Sequence, residues 1–296
     1  MPVAESITVE SIQTEIRLCD YCKNRFINLP SGKSLKKALD HRKIFVNRNS
    51  VHATTMIKSG DLLELHIDEV QSTSPEIAFH VYYSDAYLAI IEKPAGLSSS
   101  GNLSKSVQHY VASQFAKSEA PDAIFQARIV HRLDKSTSGL MIIARTAEAL
   151  MKLGQAFEER EIGKKYLAIV HGKIENLGSI DTEIEGKSAH SAWVKLNDIV
   201  HSNTNFSLLE LSPTTGRKHQ LRIHLSSLGH AIAGDQEYNE LGKTIIGRGM
   251  MLHAFSLIFR HPITNEEMYF ESALPKRFKK LLERSRVLEV PSTTSS

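Results

Sequence analysis

Two apolar runs frame one short polar segment. Ala127, Ile129 and Val130 lie before it, and Leu140-Met141-Ile142-Ile143 lie after it. Apolar, β-branched runs of this length, bounded by turn residues, read as strands. The segment between them, His131 to Gly139, is therefore a loop fixed at both ends. It places Asp134 between the cations Arg132 and Lys135, with Ser136, Thr137 and Ser138 following. Gly139 supplies a hinge able to take positive φ. A loop clamped between buried strands is a rigid platform for a reactive group.

Taken alone, an Arg-x-Asp-Lys turn reads as a solvated, salt-bridged corner. The full string HRLDKSTSGL, residues 131–140, is more specific. It resembles the signature of the RluA-type pseudouridine synthases.

Further strings carry the same resemblance. Lys93-Pro94-Ala95-Gly96-Leu97 follows the strand-like run Leu88-Ala89-Ile90-Ile91 and is similar to the family's first motif. Pro94 fixes φ and Gly96 frees it, which suits a turn beside the active loop. Lys165-Tyr166-Leu167 matches a second position; without the resemblance, a Tyr on a strand reads as core packing. Gly216-Arg217-Lys218-His219-Gln220-Leu221-Arg222-Ile223-His224 resembles the third motif. There Leu221, Leu225 and Leu228 form an apolar stripe, with His219, Arg222 and Ser226 on another face. Leu228 to Asp235 resembles the segment after that helix and reads as a structural corner.

The resemblance implies catalytic roles for Asp134, Tyr166 and Arg222. Arg222 would pair with Asp134 and hold it ionised and aimed, as a neighbouring cation does for a carboxylate. Tyr166 would stack on the target base and help to move a proton. Arg132 would fill the space that the base leaves, and Lys93, His131, Arg217 and His219 would line the substrate site.

Composition constrains less. The 296 residues are 41% hydrophobic and 23% charged, ordinary for a globular chain with one large domain and a small one. A net charge of +3 permits a nucleic-acid partner without arguing for one. No apolar run approaches membrane-spanning length, so no membrane association is expected. The first residues lack a basic stretch followed by an apolar core, so no secretory signal is expected either. The only cysteines, Cys19 and Cys22, exclude a disulfide framework, and a cytoplasmic location is expected. Their C-x-x-C spacing reads as two small side chains one helical turn apart. His230 and Asp235 have no third ligand spaced to join them, so no metal is expected.

The chain divides as follows. Residues 1–12 read as a polar arm. Residues 13–68 read as a small α/β module, with a helix near Ile16–Phe26, a second helix starting near Ser34, a strand at Ile44–Val46 and another at Leu63–Ile67. This module carries Lys33, Lys36, Lys37, Arg42, Lys43 and Arg48 close together. The strings SGKSLKKALDHRKIFVN and SGDLLEL are similar to the RNA-binding domain shared with ribosomal protein S-four, with a departure at Cys19. The resemblance implies RNA contacts for those six cations; read bare, they are a solvated basic face. Residues 69–80 read as a linker. Residues 81–288 read as an α+β catalytic domain, with a mixed, largely antiparallel sheet flanked by helices and loops. Helices are expected over Ser104–Ala116 and Thr146–Glu161, with Thr146 as a cap. Strand-like runs are expected at 164–170, 179–184, 191–199, 206–212, 250–259 and 267–271. Residues 289–296 read as a loose tail.

The chemistry implied is isomerisation of uridine in ribosomal or transfer RNA. The bond from ribose C1′ to the uracil nitrogen breaks, the base turns, and C1′ rejoins the base at C5. No redox change occurs, so no cofactor is expected, nor an obligate protein partner. One carboxylate attacks C1′ or removes a proton from the sugar. The target base must leave its stack. A non-catalytic RNA-binding or assembly protein is the alternative, although Asp134, Tyr166 and Arg222 are all intact. A nucleoside or glycan hydrolase would need a second carboxylate, and none lies near Asp134 in the sequence.

Overall fold

The computed structural model describes residues 1–23, 25–29, 31–68, 77–101, 105–239 and 249–289. The first part holds β1 (Val3–Thr8), β2 (Ile16–Arg17), α1 (Leu18–Tyr21), α2 (Gly32–Asp40), β3 (Ile44–Val46), β4 (Asn49–Ser50), β5 (Met56–Ile57) and β6 (Leu62–His66). Four of these strands form a sheet in the order β1-β6-β3-β4, all antiparallel. The sheet and its helices enclose an apolar cluster that includes Leu18, Phe26, Ile44 and Leu63.

Three expectations change here. The polar arm is a strand: β1 pairs along β6, with Ile7 turned toward the cluster. An edge strand keeps one face in water, so its composition reads as polar. The helix expected from Ile16 to Phe26 shrinks to α1, because Ile16 and Arg17 pair with β5 instead. Helix α2 starts at Gly32, two residues before the expected Ser34, with Ser31 as its cap; Ser31 and Ser34 form a reciprocal capping box. Cys22 is buried in the cluster with its thiol pushed up to about 12, chiefly by burial, which is the behaviour of an inert packing thiol.

The larger part holds β7 (His80–Ser84), β8 (Leu88–Lys93), α3 (Val107–Gln114), β9 (Ala123–Ile129), β10 (Ser138–Thr146), α4 (Ala147–Glu158), β11 (Gly163–His171), β12 (Leu177–Asp181), β13 (His190–His201), β14 (Thr204–Pro213), α5 (Gln220–Ser227), β15 (Leu252–Arg260), β16 (Glu267–Glu271), α6 (Lys276–Glu283) and β17 (Arg286–Glu289). This is the expected α+β body, with a mixed, largely antiparallel sheet. Its main path runs β12-β13-β14-β11-β15-β10-β8-β7, with β9, β16 and β17 as side branches. The capping of α4 by Thr146 is as expected, its hydroxyl accepting from the Ala149 N–H at 3.3 Å. Helix α6 and strand β17 were not foreseen. Most of the expected linker (69–76), the start of the Ser104 helix and nearly all of the tail lie outside the described residues. No described helix is long and apolar enough to cross a membrane.

One seam positions the site. Strands β10 and β15 run parallel, while the other pairs in this sheet are antiparallel, and they touch in register only at Ser138–His253 and Gly139–Ala254. The seam lies where β10 emerges from the polar loop. Across it a single row of paired residues runs Lys93, Gly139, Ala254, Tyr166, Leu211. The pleat therefore fixes Lys93 and Tyr166 relative to the end of the loop. A register shift at Lys165/Tyr166 bends β11 just there.

Candidate active site

The loop is held from three sides. The Leu133 N–H donates to Ser99 Oγ at 2.9 Å, and that hydroxyl donates to the Leu133 carbonyl at 2.6 Å. The Gly96 N–H donates to the Lys135 carbonyl at 2.7 Å. Gly96 takes φ +91, the conformation its sequence position called for. The Thr137 N–H closes a turn onto the Asp134 carbonyl at 3.1 Å. Gly139 takes φ +125, and a Cβ there would fall on the backbone carbonyl of Ala254.

Asp134 is fixed in this way with its side chain 19% exposed. It borders two cavities. One, of about 250 Å³, is walled by Arg132, Tyr166, Arg217 and Leu221 among others. The second, of about 660 Å³, is walled by His219, Arg222, Asp235 and Glu237 among others. Asp134 Oδ1 lies 3.7 Å from His219 Nε2, and Oδ2 lies 3.9 Å from Arg222 Nη1. Both are ion-pair distances beyond hydrogen-bond reach.

The short bonds of Arg222 go elsewhere. Its Nε and Nη2 donate to the two oxygens of Asp235 at 2.7 and 2.8 Å, and Nη2 also reaches Glu237 at 3.0 Å. Its guanidinium lies 4.8 Å from the Tyr238 ring centroid. Asp235 is buried and also accepts from the N–H groups of Glu237 and Tyr238. Burial works against its charge, but these donors and Arg222 hold its carboxyl below the usual range. Burial likewise works against the charge of Arg222, and the carboxylates around it more than offset that.

His219 caps α5 in a left-handed conformation, φ 55. Its Nδ1 shares a hydrogen bond of 3.0 Å with the Tyr238 hydroxyl. Tyr166 is half-buried; burial first, and the Asp134 charge second, push its phenol well above the ordinary tyrosine range. Arg132 is exposed at the mouth, while Arg217 is tied through Nε to the Ser188 carbonyl at 3.1 Å.

Two expected substrate contacts sit differently. Lys93 is fully buried, and its ammonium donates to the carbonyls of Pro94 and Lys135 at 2.9 and 3.2 Å. It braces the loop from below. Burial pushes it down to about 7, against the pull of Asp134. The His131 ring accepts from the Ile142 N–H at 3.0 Å and packs on Phe157 at 4.5 Å, so it anchors β10 and borders neither cavity. Burial pushes it down to about 3. Of the six cations of the small module, Lys33, Lys36 and Lys37 are exposed on α2, and Arg42 and Arg48 sit exposed at left-handed turn positions. Lys43 is half-buried and paired with Asp68 at 2.6 Å.

Asp235 was the residue missed by sequence reasoning. The available signal was an acid ending the apolar run Ala231-Ile232-Ala233, close after a helix whose inward Arg needed a counter-charge. Asp235 and Glu237 do bring further carboxylates to the larger cavity. Burial works against both charges, yet both carboxyls are held below their usual range, Asp235 chiefly by Arg222 and Glu237 by His219 and then Arg222, so neither is a poised proton donor of the kind hydrolysis uses. Among the described residues no group of three or more His, Cys, Asp or Glu is placed to hold a metal ion.

The comparisons agree with this geometry. A family model described as RNA pseudouridylate synthase matches residues 87–227. A ribosomal large subunit pseudouridine synthase C of Rickettsia bellii is 31% identical, over 90% of this chain and 96% of its own. An uncharacterized RNA pseudouridine synthase, YlyB, of Bacillus subtilis is 31% identical, over 82% of this chain and 86% of its own. The solved structure of human RNA pseudouridylate synthase domain containing 1 superposes with a TM-score of 0.61 at 26% identity, covering 77% of this chain and 94% of that one.

Proposed function

The chain belongs to the RNA pseudouridylate synthase family and is an isomerase acting on RNA, and on that premise we propose that Asp134 is its catalytic carboxylate and large-subunit ribosomal RNA its substrate. The observation that carries the assignment is the place of Asp134, on a braced loop where two cavities meet, with Tyr166 on one side and Arg222 on the other. The RNA class rests on the Rickettsia relative, a ribosomal large subunit pseudouridine synthase.

In this reading the uridine leaves its stack and enters beside Asp134, and Arg132 at the mouth takes the vacated place. The carboxylate acts on the ribose, as nucleophile at C1′ or as base toward a sugar proton. The C1′–N1 bond breaks, the base turns, C1′ bonds to C5, and the C5 proton is lost as N1 gains one. Tyr166 remains a neutral phenol at neutral pH, because burial and Asp134 both oppose its anion. It serves as a stacking surface and hydrogen-bond donor. Arg222, gripped by Asp235, offers Nη1 to Asp134 as a fixed positive field. Lys93 and His131 hold the loop and the strand behind it. The small N-terminal module supplies RNA affinity through the exposed cations of α2. We place the protein in the cytoplasm, where ribosomal RNA and reduced cysteines coexist.

Incubation with transcripts of large-subunit ribosomal RNA tests this. Conversion of uridine to an isomer of identical mass at a discrete position is expected. Conversion of transfer RNA alone would overturn the RNA class, release of free uracil would mark a hydrolase, and binding without any isomer would mark a non-catalytic protein.

A further inference from the structure

A third cavity, of about 630 Å³, lies between the small module and the catalytic body, away from the catalytic loop. Its module wall is Lys37 and His41 of α2 and its cap, together with the Lys43–Asp68 pair; its body wall is Gln108, Gln126 and Arg128. Asn28 fixes the two walls together: its buried side chain accepts from the Phe125 N–H of β9 at 2.6 Å and donates to Glu5 of β1 at 3.0 Å.

Arg128 is the anomaly. It is half-buried on β9, and among the described residues its guanidinium has no carboxylate in ion-pair range and no hydrogen-bond acceptor. Burial alone acts on it, lowering its affinity for the proton with nothing to offset the cost. Arg222, similarly enclosed, has three acidic neighbours. The N–H donors of Arg128 face the open cleft and are free to receive an anion. The acidic group on the cleft wall, Asp68, is already taken by Lys43. Gln108 holds the free edge of β9 on either side of Arg128, donating to the Ala127 carbonyl and accepting from the Ile129 N–H, both at 3.0 Å. The backbone that carries Arg128 is therefore held in place at the edge of the cleft.

Arg132 at the active-site mouth lies four positions after Arg128, beyond the end of β9, at most about 14 Å of chain away.

We propose that this interdomain cleft is an RNA-backbone subsite in which Arg128, with Lys37 and His41 opposite, binds a phosphodiester flanking the target uridine. The inference rests on the reading of the protein as an RNA-acting isomerase. It ties the small module to the active site through one shared phosphate, and it divides the module's cations. Lys37 faces the cleft, while Arg48 in the β3–β4 turn does not border it.

The test uses the full chain carrying Asp134→Asn, with affinity for a uridine-containing large-subunit RNA transcript measured against salt. Adding Arg128→Met should reduce the slope of log K against log salt by about 0.7, one single-strand phosphate contact. Arg128→Lys should retain most of the slope, and Lys37→Gln, on an exposed helix position where folding is not at risk, should also reduce it. In the Asp134 background restored to wild type, Arg128→Met should raise KM and leave kcat unchanged. An unchanged slope and KM in both Arg128→Met and Lys37→Gln would overturn the subsite, as would equal loss with Arg128→Lys. If wild type binds the RNA but never isomerises it, the functional reading fails while the slopes still decide the cleft. Absence of any RNA binding overturns both.

Discussion

Arg222 grips Asp235 with two bonds of 2.7 and 2.8 Å and meets Asp134 only at 3.9 Å, through its remaining nitrogen. The guanidinium is divided between a structural carboxylate that fixes its plane and Asp134, the proposed catalytic carboxylate, which it faces. Such a fork is rigid and bidentate, a geometry that lysine cannot copy.

Loss of Asp235 should therefore be felt twice. Asp235→Asn leaves Arg222 buried with an incomplete counter-charge, and breaking a buried pair costs about 3–5 kcal/mol. Denaturant unfolding reads that cost. The surviving folded enzyme should show lower kcat with little change in KM, because Nη1 no longer has a fixed direction. Unaltered stability and kcat would show that the pair holds nothing in place.

Lys93 makes a pH-dependent contribution. In the unfolded chain it titrates near 10.5, and in the fold at about 7. Below pH 7 it is charged in both states, and the penalty for burying the ammonium is fully present. Between pH 7 and 10 the unfolded state binds the extra proton, so the fold gains stability as pH rises, by up to about 1.4 kcal/mol per pH unit. The melting temperature of wild type minus that of Lys93→Met should climb between pH 7 and 9. A flat difference would show that Lys93 is not buried as described.

Gly139 lies between Lys93 and Ala254 in the row that crosses the seam. Its φ of +125 and the close Ala254 carbonyl leave no place for a Cβ. Gly139→Ala should destabilise the protein by at least about 2 kcal/mol, and the loss should extend to activity because the loop hangs from this residue. Thermal melting and turnover, measured together, check both; a variant as stable as wild type would contradict the account.

Much of this was legible in the sequence because the signals were local. The apolar runs around Asp134, the cap at Thr146, the positive φ of Gly96 and Gly139 and the strand holding Tyr166 all follow from a few neighbouring residues. What stayed hidden was settled by distant partners. Asp235 looks like a corner until α5 turns Arg222 onto it. His131 and Lys93 look like substrate contacts because they belong to polar motifs, yet β10 claims one ring and the loop carbonyls claim the other ammonium. Strand β1 owes its existence to the edge of β6, more than fifty residues away, and no window of sequence around Val3–Thr8 contains that edge.

The central claim is that one carboxylate, Asp134, does the chemistry while the surrounding cations hold RNA and position it. Single-turnover conversion of a uridine-containing large-subunit transcript by Asp134→Asn, with RNA affinity measured on the same preparation, tests it most directly. The account predicts turnover reduced by roughly four orders of magnitude with affinity changed by less than about threefold, since the phosphate contacts are untouched. Normal turnover in a correctly folded Asp134→Asn protein would contradict it.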